Sequence, residues 1–269
     1  MTTRELLLSC WTPDPLAIVG CAAAVLVYVL TSPGRGSATA ARAIAFAVGL
    51  TVLALALVSP IGSLAEGYLF SAHMLQHLLL VLVVPPLLLL GFEPSGQPSA
   101  TGNRRRVRIP AVVPWGLGVG AMWLWHAPTL CNAASQSALV HRVQEVSLLA
   151  MGAAFFWPVL SPRTGERLPP LGGVVYLFTA CVSCTVLAVA ITFSPVEVCS
   201  VFAHPVDRLG VMPLVRDGWG LTAQRDQQIG GLLMWLPACL VYGAAILAVL
   251  ARVLGEAVPV RSNGASEAS

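Results

Sequence analysis

Long apolar stretches separated by short polar connections dominate this chain. Seven apolar segments are predicted to be helices, at about 15–31, 42–59, 71–91, 111–128, 139–160, 172–194 and 227–253. About 20 apolar residues in a helix span the hydrocarbon core of a bilayer. The pattern therefore predicts an all-α, polytopic membrane bundle of seven transmembrane helices over residues 15–254. We expect an outer segment 1–14 before it and a disordered cytoplasmic tail, 255–269, after it.

Composition supports a membrane protein and excludes several classes of function. Only 10% of the 269 residues are charged and 57% are hydrophobic, whereas soluble domains carry about 25% charged residues. The formal net charge of +3 is too small to indicate a nucleic-acid partner. All 15 basic residues are arginine, which excludes a retinal protein because a Schiff base needs a lysine.

The placement of arginines predicts the orientation. Ten arginines follow the odd-numbered segments or lie near the C-terminus, and five lie on the opposite side. The positive-inside rule then places the N-terminus outside and the C-terminus inside the cell. We expect no cleavable signal peptide, because the first apolar segment has Arg4 before it but Arg35 and Arg42 after it.

With this orientation all five histidines lie toward the outer side. His73 and His77 open the third segment four residues apart, and so share one helix face. His126 closes the fourth segment, His141 opens the fifth, and His204 lies in the connection before the seventh. Ionisable side chains at membrane depth are candidates for function by default, although a polar helix end or a loop histidine is the plainer alternative for each.

Other polar and sulfur-bearing residues accompany the histidines. Glu145 follows His141 by four residues, on the same helix face, where its carboxylate could orient the imidazole. Asp226 opens the seventh segment on the outer side, Met234 lies two turns below it, and Met74 adjoins His73. Imidazole with thioether ligands suits copper, especially Cu(I), although methionines at such positions more often only pack.

The seven cysteines do not indicate a disulfide framework. Their number is odd and most of them lie in apolar segments, so we expect them to behave as small hydrophobic residues. Cys181 and Cys184 form a C-x-x-C pair, but it lies at mid-membrane, far from the predicted histidine layer.

Four motifs resemble, in order, those of the polytopic CtaG family of cytochrome c oxidase assembly factors. They are HMLQHLLLVLVVPPLLLLG at 73–91, WLWHAP at 123–128, H-x-x-x-E at 141–145 and DQQIGGLLMWLP at 226–237. The resemblance covers residues 40–250 and implies a seven-helix protein needed to form an active haem–copper oxidase. The motif histidines of the family correspond to His73, His77, His126 and His141, and its acidic helix start to Asp226.

Together these observations predict a copper-handling assembly factor rather than an enzyme. The expected metal ligands are His73, His77, His126, His141, Met74 and Met234, with Glu145 and Asp226 supporting them. The expected partners are a haem–copper oxidase subunit and the lipid of a bacterial plasma membrane, and homo-oligomerisation stays open. Two alternatives are a b-type haem protein with histidine pairs as axial ligands and a structural accessory subunit of an oxidase.

Overall fold

A computed structural model describes residues 2–31, 37–92, 109–161 and 166–257. The described residues are helical and contain no strand. The twelve α-helices are α1 Thr3–Ser9, α2 Pro15–Thr31, α3 Ser37–Val58, α4 Pro60–Ala65, α5 Phe70–Leu78, α6 Val84–Gly91, α7 Val112–Trp125, α8 Pro128–Gln136, α9 Ala138–Leu160, α10 Pro170–Thr192, α11 Ser200–Ala203 and α12 Ala223–Ala257. The expected disorder of residues 258–269 and the arginines at 35, 104–106, 108, 163 and 261 lie outside the described residues.

Five helical stretches within the described ranges are long and apolar enough to cross a membrane. They are Ala40–Val58, Phe70–Gly91, Ala138–Leu160, Pro170–Thr192 and Ala223–Gly255. Two further apolar helices, Pro15–Thr31 and Val112–Trp125, are shorter. All seven predicted segments are thus helical, and the last one continues to Ala257, past the predicted start of the tail. Large apolar side chains such as Leu26, Phe178 and Leu240 point outward, which suits helices surrounded by lipid.

The stretch Phe70–Gly91 is the central helix of the bundle. Half of its residues are buried, a larger share than in the other four long stretches. It packs against α3, α9 and α12, and a π-helical turn at Leu79–Val83 separates α5 from α6. A Cβ on Gly152 would lie 2.7 Å from the carbonyl oxygen of Val81, so α9 crosses the π-helical turn at a distance that only glycine permits. π-helical turns of this kind are frequent at functional sites.

Two apolar clusters form the interior along the bundle axis. The cluster nearer to the histidines contains Phe70, Met74, Leu148, Ile191 and Met234, and so joins α5, α9, α10 and α12. The second cluster contains Phe155, Tyr176, Leu177 and Tyr242. The α10–α12 contact is close because Gly231 lies directly against Thr192, where a Cβ would overlap the threonine side chain. Small residues at helix crossings are the usual means of bringing membrane helices together.

Short helices cover the end of the bundle at which the histidines lie. Leu6 of α1, Leu64 of α4 and Val215 of a second π-helical turn, Leu214–Gly218, share a third apolar cluster with Leu69, the residue before α5. Helices α8 and α11 lie at the same end and contact each other. This covering layer separates the first turns of α5 from the outside of the bundle.

Candidate functional site

Four of the five histidines converge in the interior. His73 and His77 lie on α5, His126 follows the last residue of α7, and His141 lies in the first turns of α9. Their ring centroids form a continuous line, with His141–His73 at 5.8 Å, His73–His77 at 4.1 Å and His77–His126 at 5.5 Å. Each of the four is at most 4% exposed. The fifth, His204, is exposed and does not belong to the line.

Asp226 positions the helix that carries two of these histidines. The residue that precedes α5 is Leu69, whose side chain cannot cap the helix. Asp226 of α12 supplies the missing cap, because its two carboxylate oxygens accept hydrogen bonds from the backbone nitrogens of Phe70 at 2.7 Å and Ser71 at 3.0 Å. Its negative charge is favourable at a helix N-terminus. Its contacts therefore lead to the backbone of α5 rather than to an imidazole.

Backbone carbonyls set the tautomers of His73 and His126. The Nδ1 of His73 lies 3.2 Å from the carbonyl oxygen of Ala65, and the Nδ1 of His126 bonds the carbonyl oxygen of Met122. A carbonyl oxygen only accepts, so each Nδ1 carries the hydrogen and each neutral ring presents the lone pair of Nε2. This arrangement of a second ring nitrogen held by the backbone is typical of metal-ligating histidines.

Sulfur lies at one end of the histidine line. The Sδ atom of Met74 is 3.1 Å from the Nε2 of His126. Met234 is buried in the same apolar cluster as Met74, and no hydrogen bond joins it to a histidine of the described chain. The structure therefore brings one of the two predicted methionines to an imidazole.

A carboxylate lies at the other end of the line. The Oε1 atom of Glu145 is 3.3 Å from the Nε2 of His141 and 3.0 Å from the Nε2 of Gln76. Its other oxygen, Oε2, is 2.8 Å from Nη1 of Arg142. Glu145 is thus fixed from three sides, beside the imidazole that the sequence places on its own helix face.

Two buried glutamines belong to the site and were not predicted. Gln76 and Gln144 are at most 1% exposed. The Oε1 of Gln76 and the Nε2 of His73 have no hydrogen-bond partner among the described residues, and the side chain of Gln144 lies beside the imidazole of His77. Such atoms each cost about 1–3 kcal/mol when buried without a partner. A repeated H-x-x-Q spacing, in HMLQH at 73–77 and HRVQE at 141–145, is the sequence signal that could have found both glutamines.

A disulfide holds a cover over the histidines and corrects one prediction. Cys131 of α8 is bonded to Cys199, 68 residues later, with Cα atoms 5.9 Å apart. Phe202, three residues after Cys199, lies against His73 with ring centroids 5.2 Å apart. The side chain of Asn132 adds hydrogen bonds to Ser200 and Val201. The expectation that the cysteines act only as small hydrophobic residues is therefore wrong for this pair, because folding joins two connections that are far apart in sequence.

The C-x-x-C pair lies in the α10–α12 contact. Cys181 of the C-x-x-C pair contacts Cys239 of α12, with their sulfur atoms 3.7 Å apart, and both thiols are free. Thr185 lies 3.6 Å from the same Cys239 sulfur. These side chains fill the α10–α12 contact and take no part in the line of imidazoles.

The chemistry available at the site is that of neutral imidazole, thioether and one carboxylate. Soft ligands of this kind favour Cu(I) over Mg²⁺ or Ca²⁺, which prefer oxygen. Over the part of the chain that is described, no group of three His, Cys, Asp or Glu side chains has the arrangement of ligands around a single ion. The imidazoles instead pack edge to face or tilted against one another.

Comparison with known proteins gives a family over most of the chain. The model of the family described as cytochrome c oxidase caa3 assembly factor (Caa3_CtaG) matches residues 23–256. No curated protein and no solved structure matched the chain. The matched range includes the four buried histidines, Met74, Glu145 and Asp226.

Proposed function

The chain belongs to the family of cytochrome c oxidase caa3 assembly factors, and we propose that it serves assembly by binding copper on its histidine line. In this proposal copper is the cargo, accepted on the outer side of the plasma membrane and passed to a subunit of a haem–copper oxidase. The ligands are drawn from His73, His77, His126 and His141, with Met74 as the sulfur ligand. Transfer is an exchange of ligands, so no covalent turnover and no catalytic residue are part of the proposal.

The observation that carries the proposal is the direction of the imidazole lone pairs. Two buried rings, those of His73 and His126, are held through Nδ1 by backbone carbonyls and so present Nε2 to the interior. The sulfur of Met74 stands against one of these nitrogens. Interior packing alone gives no reason to bury lone pairs beside sulfur, whereas a soft cation would satisfy them.

Glu145 and Gln144 support the proposal in a second way. A cation in the membrane interior is costly unless a negative charge or polar atoms compensate it. The carboxylate of Glu145 lies beside His141, and the buried amide of Gln144 lies beside His77. The single positive charge of Cu(I) therefore has a compensating partner at one end of the line.

The proposed orientation, with the histidine end outside, rests on two independent observations. The arginines of the sequence favour that side as the extracytoplasmic one. The Cys131–Cys199 disulfide lies at the same end, and disulfides persist in the bacterial periplasm and at cell surfaces but rarely in the cytosol. Copper would then be accepted and released on the outer side.

Haem binding, the first alternative, has no support in the geometry. A bis-histidine haem needs a porphyrin between two facing imidazoles. Of the pairs on two helices, His77 and His126 contact edge to face with ring centroids 5.5 Å apart, and His73 packs on His77 at 4.1 Å, which leaves no slot for a porphyrin between them. An accessory subunit, the second alternative, predicts instead that the protein purifies with intact oxidase in fixed proportion.

Metal content tests the proposal directly. The purified protein is loaded anaerobically with Cu(I) in detergent, desalted and measured by mass spectrometry of the metal. We expect roughly one copper ion per wild-type chain and its loss in the His73→Ala/His77→Ala double variant. His204→Ala is the matched control, because this histidine is exposed and lies off the line. Equal copper in the wild type and the double variant, or no copper in the wild type, would refute the proposed site.

A further inference from the structure

A cluster of charged side chains leads from the outer surface of the bundle to the first histidine. It consists of Asp14, Glu66 and Glu145 around the guanidinium of Arg142, and we call it the acidic mouth. The Nη1 of Arg142 lies 2.6 Å from Asp14 and 2.8 Å from Glu145, and its Nη2 lies 3.5 Å from Glu66. The cluster joins the segment before α2, the end of α4 and the first turns of α9.

Exposure falls along the acidic mouth from the surface to the interior. The side chain of Glu66 is 48% exposed and that of Arg142 is 31% exposed, whereas those of Asp14 and Glu145 are 9% and 6% exposed. The buried carboxylate of Glu145 then contacts His141, where the line of imidazoles begins. Polar contacts are therefore continuous from the outer surface to the buried site.

The buried side chain of Gln76 reaches the inner end of the mouth and has one polar atom without a partner among the described residues. The side chain of Gln76 donates from Nε2 to Glu145 and to the carbonyl oxygen of Ala56, while its Oε1 has no partner among the described residues. Gln76 is 1% exposed. An unpaired amide oxygen in a side chain that contacts Glu145 suits a passing cation and is unfavourable for an anion.

The charges and the free volume favour cation entry controlled by Arg142. Three carboxylates face one guanidinium, so the mouth carries an excess of negative charge that attracts cations. A cavity of about 200 Å³ adjoins the cluster and is lined by Asp14, Arg142, Glu145 and apolar residues such as Cys21 and Leu149. Arg142 thus borders free volume.

We propose that the acidic mouth is the entrance for Cu(I) and that Arg142 is its gate. The guanidinium of Arg142 forms ion pairs with the carboxylates when no copper ion is present in the mouth. An incoming Cu(I) ion displaces it from Glu145 and reaches the imidazole of His141. This inference rests on the proposed copper function, and it adds Asp14, Glu66, Gln76 and Arg142 to the residues that serve it. These four lie outside the set predicted from the sequence.

The rate of copper uptake by the full-length protein tests the entrance. Cu(I), supplied anaerobically as its weak acetonitrile complex, is mixed with protein in detergent, and tryptophan fluorescence reports loading in a stopped-flow instrument. We expect Asp14→Asn and Glu66→Gln to slow association by about threefold or more, and Arg142→Gln to accelerate it by a similar factor. Copper content at saturation is measured for the same variants, so that loss of the site is distinguished from a change in the rate of uptake.

A gate predicts slower uptake in the two carboxylate variants and faster uptake in Arg142→Gln. A merely structural role predicts slower uptake in all three variants. Glu197→Gln is the matched control, because Glu197 is an exposed carboxylate at the same end of the bundle but outside the mouth. Wild-type uptake should also slow as ionic strength rises, a readout that needs no variant.

Uptake rates of the three mouth variants within twofold of the Glu197→Gln control would overturn the proposal that the mouth is the entrance, and so would a wild-type rate independent of salt. Neither result would affect the proposed copper site. A wild-type protein that binds no copper would instead overturn the proposed function, and the entrance with it.

Discussion

At the scale of single residues, the site depends on which ring nitrogen each histidine exposes. The backbone carbonyls of Ala65 and Met122 hold Nδ1 of His73 and His126, and this leaves Nε2 to face the interior. Met74 then places sulfur 3.1 Å from one of these nitrogens. The ligand character of the cluster therefore comes from backbone positions as much as from the side chains themselves.

Replacing the sulfur should weaken copper binding without harming the fold. Met74→Leu keeps the volume of a buried side chain, and such exchanges usually cost less than about 1.5 kcal/mol of stability. We expect the Kd for Cu(I), measured by competition with a chromogenic Cu(I) chelator, to rise by about tenfold because a soft ligand is lost. Met151→Leu, a partly buried methionine beside the same apolar cluster, is the control. An unchanged Kd in Met74→Leu would remove Met74 from the ligand set.

Sequence reasoning at this scale found the imidazoles but not their surroundings. Histidine and glutamate spacings of four residues place His73 with His77 and His141 with Glu145, because helix geometry alone fixes those pairs. The H-x-x-Q spacing marks Gln76, but its contact with Glu145 depends on the approach of α9 to α5, which no local spacing reveals.

At the scale of elements, a residue of another helix caps the N-terminus of the helix that carries His73 and His77. Asp226 of α12 closes the start of α5 because Leu69 cannot, and the π-helical turn at Leu79–Val83 follows directly after the second histidine. The imidazoles are thus fixed between a capped end and an irregular turn. The sequence predicted Asp226 near the site. It did not predict that Asp226 accepts hydrogen bonds from the backbone at the start of α5, because Asp226 and Phe70 are more than 150 residues apart in the chain.

Removal of the carboxylate tests this capping role. Asp226→Ala should lower the free energy of unfolding by about 0.5–2 kcal/mol, the usual range for loss of a helix cap. The melting temperature of the detergent-purified protein measures the effect. The melting temperature of Asp226→Asn should lie between those of Asp226→Ala and the wild type, because one side-chain oxygen remains to accept a hydrogen bond. Asp217→Ala, at a described acidic residue of the π-helical turn Leu214–Gly218, serves as a control. A melting temperature unaffected by Asp226→Ala would argue against the cap.

At the scale of the whole molecule, the bundle collects its buried polar groups at one end and leaves its lipid-facing helices apolar. Length and hydropathy predicted the helical segments because a membrane admits few other structures. The same patterns did not predict α1, α4 and α8 of the covering layer, because such short helices carry no membrane-length signal. Nor did they predict the Cys131–Cys199 bond, which depends on how two distant connections meet.

The proposed orientation makes opposite ends of the bundle accessible from opposite sides of the membrane. We expect His204→Cys, at the histidine end, to react with a membrane-impermeant maleimide in intact cells. Arg252→Cys, exposed near the end of α12, should react only after the cells are made permeable. Mass spectrometry of the labelled peptides measures both reactions, with the wild type as the background from native thiols. The reverse pattern would place the histidine end in the cytoplasm, where the proposed route for copper fails.

X-ray absorption at the copper edge of the Cu(I)-loaded protein tests the central claim most directly, because it identifies the atoms bound to the metal. The account predicts a first shell of imidazole nitrogen with one sulfur, and loss of that sulfur in Met74→Leu. It also predicts that the spectrum is unchanged in Cys181→Ser/Cys239→Ser, since these thiols lie away from the histidine line. A shell of sulfur alone, or a spectrum that changes in the cysteine variant but not in Met74→Leu, would contradict copper binding on the histidines.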